Sequence, residues 1–212
     1  MVPELEPHTL IRIRGPHALE LPRGEDLPAW AVESLRRAPW VVVRRAQIHG
    51  GWVPVGVRGE SRQRRCAAWL SPDRALEVVT PQALASRRTT RTIPVLTVLP
   101  HVEQIMCEHG LGGRWGPGGS VGFELASGVP TASSSSDLDL VVEIDRPELI
   151  ASSALSLWNA LTALPVRVDV LLETRRGAVV LAEYVRTLTS ESCSFVLRTP
   201  TGPRLIQSTA GL

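Results

Sequence analysis

The sequence contains no lysine: all 23 of its basic residues are arginine. Schiff-base and pyridoxal-phosphate lysines and the lysine-bearing P-loop are therefore excluded, because each requires an ε-amine. The cations that remain are guanidiniums, which grip phosphate and carboxylate in a bidentate fork. Cysteine is scarce. Cys66, Cys107 and Cys193 are odd in number and include no Cys-x-x-Cys pair, which argues against a disulfide framework or a zinc knuckle and fits a reducing compartment. The five histidines show no His-x₃-His spacing, so surface or capping roles are expected of them. A Gly-x-Ser-x-Gly nucleophile elbow is absent. No apolar run approaches the roughly 20 residues that span a bilayer. The opening Met1-Val2-Pro3-Glu4-Leu5-Glu6 is acidic rather than basic-then-apolar, so a soluble cytoplasmic protein is expected. A net charge of only +2 announces neither nucleic acid nor a membrane surface as partner.

What is present is an ordinary globular composition. The 212 residues are 43% hydrophobic and 21% charged, enough for one large domain or two small ones, each on its own core. His8 to Arg14 alternates as a strand does, Ala29 to Arg37 reads as a short helix stopped by Pro39, and Trp40 to Arg45 with Trp52 to Arg58 reads as a hairpin turning at Gly50-Gly51. Arg62 to Leu70 reads as a further strand, and Pro72 to Ala75 and Pro81 to Ala85 as short helix or turn segments. The polar run Ser86-Arg87-Arg88-Thr89-Thr90-Arg91 is the expected linker. It would divide a small N-terminal α+β module, residues 1–90, from a second domain, residues 91–212.

Beyond the linker, Leu96, Leu99, Val102 and Met106 form a helical stripe, with Pro100 a possible kink and Gly110 a stop. A short strand at Arg114-Trp115 leads to Pro117-Gly118-Gly119-Ser120, which opens a helix over Val121 to Ala126. A serine run, Ser133 to Ser136, reads as a loop. Asp137-Leu138-Asp139-Leu140-Val141-Val142-Glu143-Ile144 reads as a buried strand. Pro147 sits where a helix would begin, Leu149 to Leu164 carries helical spacing, and Val166 to Leu172 is another strand. Ala178 to Ala182 reads as a returning strand or a strand-to-helix passage. Ser194 to Arg198 and Arg204 to Gln207 suit a last hairpin.

The acids in these strands carry the chemistry. Alternate side chains of a strand share a face, so Asp137 and Asp139 project together while Leu138 and Leu140 project into the core. Like charges that close favour a cation between them, and Mg²⁺ or Mn²⁺ takes oxygen ligands of this kind. Asp169 interrupts the apolar run Val168-Asp169-Val170-Leu171-Leu172 and needs a partner if buried. Were its strand to pair beside that of Asp137, the three carboxylates could hold two metals about 3.5–4 Å apart. Glu143, farther along the strand, is read as a surface residue outside that set. Gly118-Gly119-Ser120, just before a helix, offers free N–H groups and a hydroxyl to phosphate oxygens, and Ser136 lies close to the acids in sequence. Together these parts make an apparatus for phosphoryl or nucleotidyl transfer.

The pattern Gly119-Ser120, Asp137-Leu138-Asp139 and an isolated strand Asp169 resembles that of the polymerase-beta-like nucleotidyltransferases, with a longer interval between Ser120 and Asp137. More specifically, four stretches resemble the malonate decarboxylase holo-acyl-carrier-protein synthase family, the phosphoribosyl-dephospho-CoA transferases. They are Trp115-Gly116-Pro117-Gly118-Gly119-Ser120, Gly122 to Gly128, Ser136 to Leu140, and Val168-Asp169-Val170 with Leu172-Glu173-Thr174 and Leu181-Ala182-Glu183-Tyr184. The likeness covers nearly the whole chain, more loosely over residues 1–90.

The resemblance implies an α/β (α+β) nucleotidyltransferase core, with a mixed sheet, covering helices and a small N-terminal module. It further implies transfer of a phosphoribosyl-dephospho-CoA group from 2′-(5″-triphosphoribosyl)-3′-dephospho-CoA to a serine of the apo acyl carrier subunit of malonate decarboxylase, with release of pyrophosphate. In that reaction Asp137, Asp139 and Asp169 would be the catalytic and metal-ligating residues, and Gly118, Gly119, Ser120 and Ser136 would contact the substrate. Trp115 would be the tryptophan nearest the ligand. One of the arginine groups Arg44-Arg45, Arg62-Arg64-Arg65 or Arg87-Arg88-Arg91 would guide the acidic carrier or the triphosphate, if they are not simply solvated faces. A nucleotidyltransferase with another acceptor, and a non-catalytic module that binds a carrier protein or nucleotide, are the competing readings.

Overall fold

Apolar residues at period two build two sheets, one in each of two units. The computed structural model describes residues 5–61, 63–145, 152–189 and 194–207. One unit is Met1–Thr80 with Ala126–Val129, the other Pro81–Leu125 with Pro130–Leu212. Ser86–Arg91, read from the sequence as a linker, lies in the second unit. Its arginines donate within that unit: Arg87 to the Leu125 carbonyl at 3.3 Å, Arg88 to Glu103 at 2.5 Å and Arg91 to Glu124 at 2.6 Å. Arg62, Pro147, Leu149 and Cys193 lie outside the described residues.

In the first unit, β1 (Leu10–Ile13), β2 (Leu19–Glu20), β3 (Trp40–Val43), β4 (Val53–Arg58), β5 (Arg65–Leu70) and β6 (Ala75–Val79) lie in the order β2-β5-β4-β3-β1-β6. Every pairing in this sheet is antiparallel. Helix α1 (Ala29–Arg37) ends just before Pro39 and buries Ala31 and Leu35 with Ile11, Ile13, Val41, Val43, Val55 and Val57 in one core. Strand β6 is absent from the sequence reading, which ends that region in a turn. Its Leu76 and Val78 face outward while Glu77 pairs with Arg12 on β1 at 3.2 Å, so the strand lacks the apolar-in alternation that betrays its neighbours.

The second unit contains α2 (Pro81–Leu84), α3 (Pro94–Thr97), α4 (Leu99–Glu108), β7 (Trp115–Pro117), α5 (Gly119–Ser127), β8 (Leu138–Glu143), α6 (Ala154–Thr162), β9 (Val168–Thr174), β10 (Gly177–Val180), α7 (Leu181–Thr189), β11 (Ser194–Thr199) and β12 (Gly202–Gln207). The helix expected from Pro94 is divided at Val98 into α3 and α4, where Pro100 has no N–H to donate to the Leu96 carbonyl. Ala178 to Ala182 is the strand-to-helix passage, β10 leading directly into α7.

The second sheet runs β12-β11-β10-β9-β8-β7, mixed as expected, with β8 and β9 parallel and its other pairs antiparallel. Burial alternates along the parallel pair except at Val141, which is buried although it shares the face of Asp139. Leu138, Leu140 and Val142 are buried with Val168, Val170 and Leu172, while Asp139, Glu143, Asp169, Leu171 and Glu173 are partly or wholly open. The apolar face belongs to the core. Helix α7 packs on β9 and β11, and α6 packs on α4 and α7. Leu157 of α6 is fully buried, and Leu157→Ala is expected to cost about 2–5 kcal/mol, measured by denaturant unfolding.

Candidate active site

The parallel pairing sets the geometry of the acids. Asp139 stands opposite Asp169, with Leu138 opposite Val168 and Leu140 opposite Val170. Register partners on neighbouring strands share a face about 4.8 Å apart, so the two carboxylates rise side by side from the open face. Asp137 stands one residue before β8, at the mouth of the strand, half-buried. The pairing reaches this point because the Leu138 N–H donates to the Arg167 carbonyl at 2.8 Å. Asp169 is partly open and accepts a 3.4 Å contact from Arg167.

On the other side of β8, β7 pairs antiparallel, Pro117 opposite Leu140. The ladder continues one step further, the Gly118 N–H donating to the Asp139 carbonyl at 2.8 Å. The chain then turns into α5 at Gly119, whose φ is +53°. A Cβ here would fall 1.8 Å from Asp139 Oδ2. Only glycine allows both the left-handed backbone and so close an approach of the carboxylate. The first intrahelical bond of α5 is Gly122 N–H to the Gly118 carbonyl, at 2.7 Å, and the N–H groups of the preceding turn have no acceptor within the helix. Asp139 therefore lies against the N-terminus of α5, where anionic groups are favoured. A second glycine, Gly116, lets α2 approach β7, since a Cβ there would fall 1.7 Å from the Pro81 carbonyl oxygen.

The loop from α5 to β8 is fastened by an ion pair whose acid is buried and whose arginine is 33% exposed. Glu124 is only 3% exposed, and its Oε2 accepts from the N–H groups of Thr131 and Ala132, each at 2.9 Å. Arg91 donates to both carboxylate oxygens, at 2.7 and 2.6 Å, and to the Ala132 carbonyl at 3.2 and 3.3 Å. Thr131 Oγ1 donates to the Ser120 carbonyl at 2.9 Å. Burial pushes the Glu124 carboxyl up, but the two backbone N–H groups and Arg91 outweigh it and hold the group below the usual glutamate range.

The sequence-derived residues fare differently. Gly118, Gly119 and Ser120 form the last step of β7 and the start of α5, as described, and Ser120 is buried. Ser136 lies in the expected loop, its Oγ accepting from the Ser133 N–H at 2.9 Å and standing 3.2 Å from Ser133 Oγ. Glu143 is exposed at the far end of β8 and accepts from Gln82 at 3.5 Å. Trp115 is a correction. It is 1% exposed and pairs with Val142 on the buried face, so it fills the core and offers no surface to a ligand. Arg91 is partly covered, its guanidinium engaged by Glu124 and the Ala132 carbonyl. The sequence signal at Glu124, a single acid among Val121, Gly122, Phe123 and Leu125, does not show what it bonds to.

The donor set is wholly carboxylate oxygen, the type that hard divalent cations take. Two of the three acids, Asp139 and Asp169, sit in one register, so they match such an ion by donor type. Among the described residues, no three His, Cys, Asp or Glu side chains are already gathered as a metal-holding group. The strands join Asp139 to Asp169, and Asp137 flanks the pair.

Comparison with known proteins agrees over both units. The family model for the phosphoribosyl-dephospho-CoA transferase MdcG C-terminal domain matches residues 83–209, and that for the corresponding N-terminal domain matches residues 6–81. The chain is 39% identical over 181 residues to the phosphoribosyl-dephospho-CoA transferase of Pseudomonas putida, covering 85% of each chain. It is 37% identical over 184 residues to that of Azotobacter vinelandii, covering 84% of each. To that of Klebsiella pneumoniae it is 35% identical over 182 residues, covering 85% of this chain and 86% of the relative. No solved structure matches the chain.

The depressed Glu124 carboxyl makes stability depend on pH. A folded pKa below the unfolded value adds stability that is complete above the ordinary glutamate range, near 4.3, and lost as pH falls through the folded value. Glu124→Gln is expected to lower stability by roughly 2–4 kcal/mol at pH 7 and to flatten its decline in acid. Urea unfolding of both proteins across pH 3 to 7 checks this.

Proposed function

The chain belongs to the phosphoribosyl-dephospho-CoA transferases, a family of enzymes, and from that premise we propose that the Asp139–Asp169 site attaches a phosphoribosyl-dephospho-CoA group to a carrier protein. The donor in this reading is 2′-(5″-triphosphoribosyl)-3′-dephospho-CoA, and the acceptor is a serine of the apo acyl carrier subunit of malonate decarboxylase. The serine oxygen attacks the α-phosphorus of the triphosphate and forms a new P–O bond. The bond to the β-phosphate oxygen breaks, pyrophosphate leaves, and the serine proton passes to solvent. The product is a phosphodiester.

The observation that carries the reading is the in-register pair Asp139–Asp169 beside the N-terminus of α5. In-line phosphoryl transfer is catalysed mainly by positioning and by charge stabilisation. The chain's own residues divide these tasks. The first turn of α5, from Gly119 and Ser120, directs backbone N–H groups toward phosphate oxygens. Gly119 lacks a side chain and so leaves the Asp139 carboxylate its place. Asp137, Asp139 and Asp169 would hold a pair of Mg²⁺ or Mn²⁺ ions, which when bound neutralise phosphate charge and lower the pKa of a hydroxyl nucleophile. Ser136, in the loop just before Asp137, would contact the substrate.

No helix among the described residues is long and apolar enough to cross a membrane. The balanced charge gives no reason to invoke nucleic acid.

Intact-mass spectrometry of the apo carrier subunit tests the proposal directly. Incubation with the protein, the donor and Mg²⁺ is expected to add the phosphoribosyl-dephospho-CoA mass to serine, and EDTA is expected to prevent it. No gain with both substrates verified would refute this donor–acceptor pair and favour another acceptor or a binding module. Asp139→Ala is expected to lose about 4 kcal/mol of transition-state stabilisation, roughly a thousandfold in rate, with its fold intact by circular dichroism. Gly119→Ala is expected to cost about 1–2 kcal/mol of stability through its positive φ. It should also slow transfer at least about tenfold by displacing the Asp139 carboxylate. Full activity in Asp139→Ala would remove the acid pair from the mechanism.

A further inference from the structure

Glu124 lies one helical turn after Ser120 on α5, and its carboxylate faces the loop that leads to Asp137. The peptide groups it meets are taken up almost completely. The Thr131 and Ala132 N–H groups go to Glu124, and the Ala132 carbonyl goes to Arg91. The Thr131 hydroxyl binds the Ser120 carbonyl, at the end of the helix that meets Asp139. Ser133, which follows, is bonded to Ser136. Hydrogen bonds thus tie the first turn of α5, Glu124 and Arg91 to Thr131 and Ala132, and the next residue, Ser133, is bonded to Ser136 just before Asp137.

The energetics set this pair apart from a merely stabilising contact. A buried ion pair confers little net stability over well-packed apolar residues, because both charges must be desolvated. Its distinctive return is conformational: a carboxylate that accepts from two backbone N–H groups, with a guanidinium fork on the Ala132 carbonyl, admits one loop path where an apolar contact admits several. Glu183 makes a comparable arrangement with Arg198, at 2.8 Å, and with the Val196 N–H, at 3.1 Å, but it joins α7 to β11 and does not touch the Asp137 loop.

We propose that Glu124 and Arg91 are positioning residues for the transfer reaction, clamping the 131–136 loop so that Ser136 and Asp137 are presented beside Asp139 at the N-terminus of α5. The inference rests on the reading of that acid site as the catalytic one. Neither residue touches the reacting atoms; each acts through the loop.

The test compares the wild type with Glu124→Gln, Arg91→Lys and Leu157→Ala, using the full-length chain at a temperature where each is folded. Arg91→Lys keeps the charge and lacks the fork, so it serves where Glu124→Gln unfolds. Three readouts are taken: hydrogen exchange across residues 131–138, Mn²⁺ binding by the free-ion EPR signal, and kcat and KM for transfer. Expected in both clamp variants are faster exchange confined to the loop, Mn²⁺ binding weakened at least fivefold, and kcat reduced between roughly ten- and a hundredfold with little change in carrier KM. Leu157→Ala, with an equal or larger loss of stability, is expected to keep all three near wild type. Glu124→Asp should recover part of the lost kcat. If the clamp variants match Leu157→Ala in loop exchange, metal binding and kcat, the pair is structural only and the proposal fails. If the wild type transfers nothing while loop exchange and Mn²⁺ binding shift as expected, the reaction assigned above is wrong and the clamp on the acids stands.

Discussion

Two strands laid parallel and in register, β8 and β9, determine what the rest of the second unit can do. Their alternation puts Leu138, Leu140 and Val142 with Val168, Val170 and Leu172 on the buried face, and Asp139 with Asp169, both partly open, on the opposite one, where Val141 is covered. A slip of one residue would turn one strand's aspartate into the core and its leucines or valines outward. Burying a carboxylate without a partner costs several kcal/mol, and exposing three apolar side chains forfeits their transfer energy. The hydrophobic layer that stabilises the sheet is therefore also what holds the two acids side by side. Parallel strands need a crossover between them, and α6 lies in that connection.

The helix that meets this pair is constrained from both ends. At its start, the ladder from β7 runs on through Gly118 to the Asp139 carbonyl, and Gly119 admits the carboxylate against its Cα. Four residues after Ser120, Glu124 and Arg91 fix the outgoing loop through backbone groups. The buried charge is tolerated because every polar atom around it is used: no buried side-chain polar atom among the described residues lacks a hydrogen-bond partner. The whole device is local, made by residues of the second unit.

Much of this was legible in the sequence, for identifiable reasons. Strands β1, β3, β4, β8 and β9 announce themselves because each has an apolar face to bury, and α1 does so because Pro39 stops it. The two aspartates of Asp137-Leu138-Asp139 and the lone Asp169 stand out because acids are costly inside apolar strands. Other features gave no such signal. Strand β6 turns Leu76 and Val78 outward, so its pattern looks irregular. Trp115 sits next to the Gly118-Gly119 turn in sequence, yet its strand direction sends the ring into the core, opposite to the acids. Arg87, Arg88 and Arg91 read as a polar linker because composition cannot show that each has an acceptor waiting in the second unit.

Composition and local pattern by themselves determined that the chain has no lysine chemistry, that apolar-patterned strands recur along it, and that glycines precede a helix while aspartates interrupt two strands. These are properties of short windows, set by side-chain period and backbone preference. Tertiary structure alone decided that β9 lies parallel beside β8 with Asp169 against Asp139, that Asp139 rests on Gly119, and that Glu124 and Arg91 hold the loop between them. Such contacts join residues far apart in the chain. Which of the many possible pairs forms depends on burying all the apolar faces at once, a condition that no single segment contains.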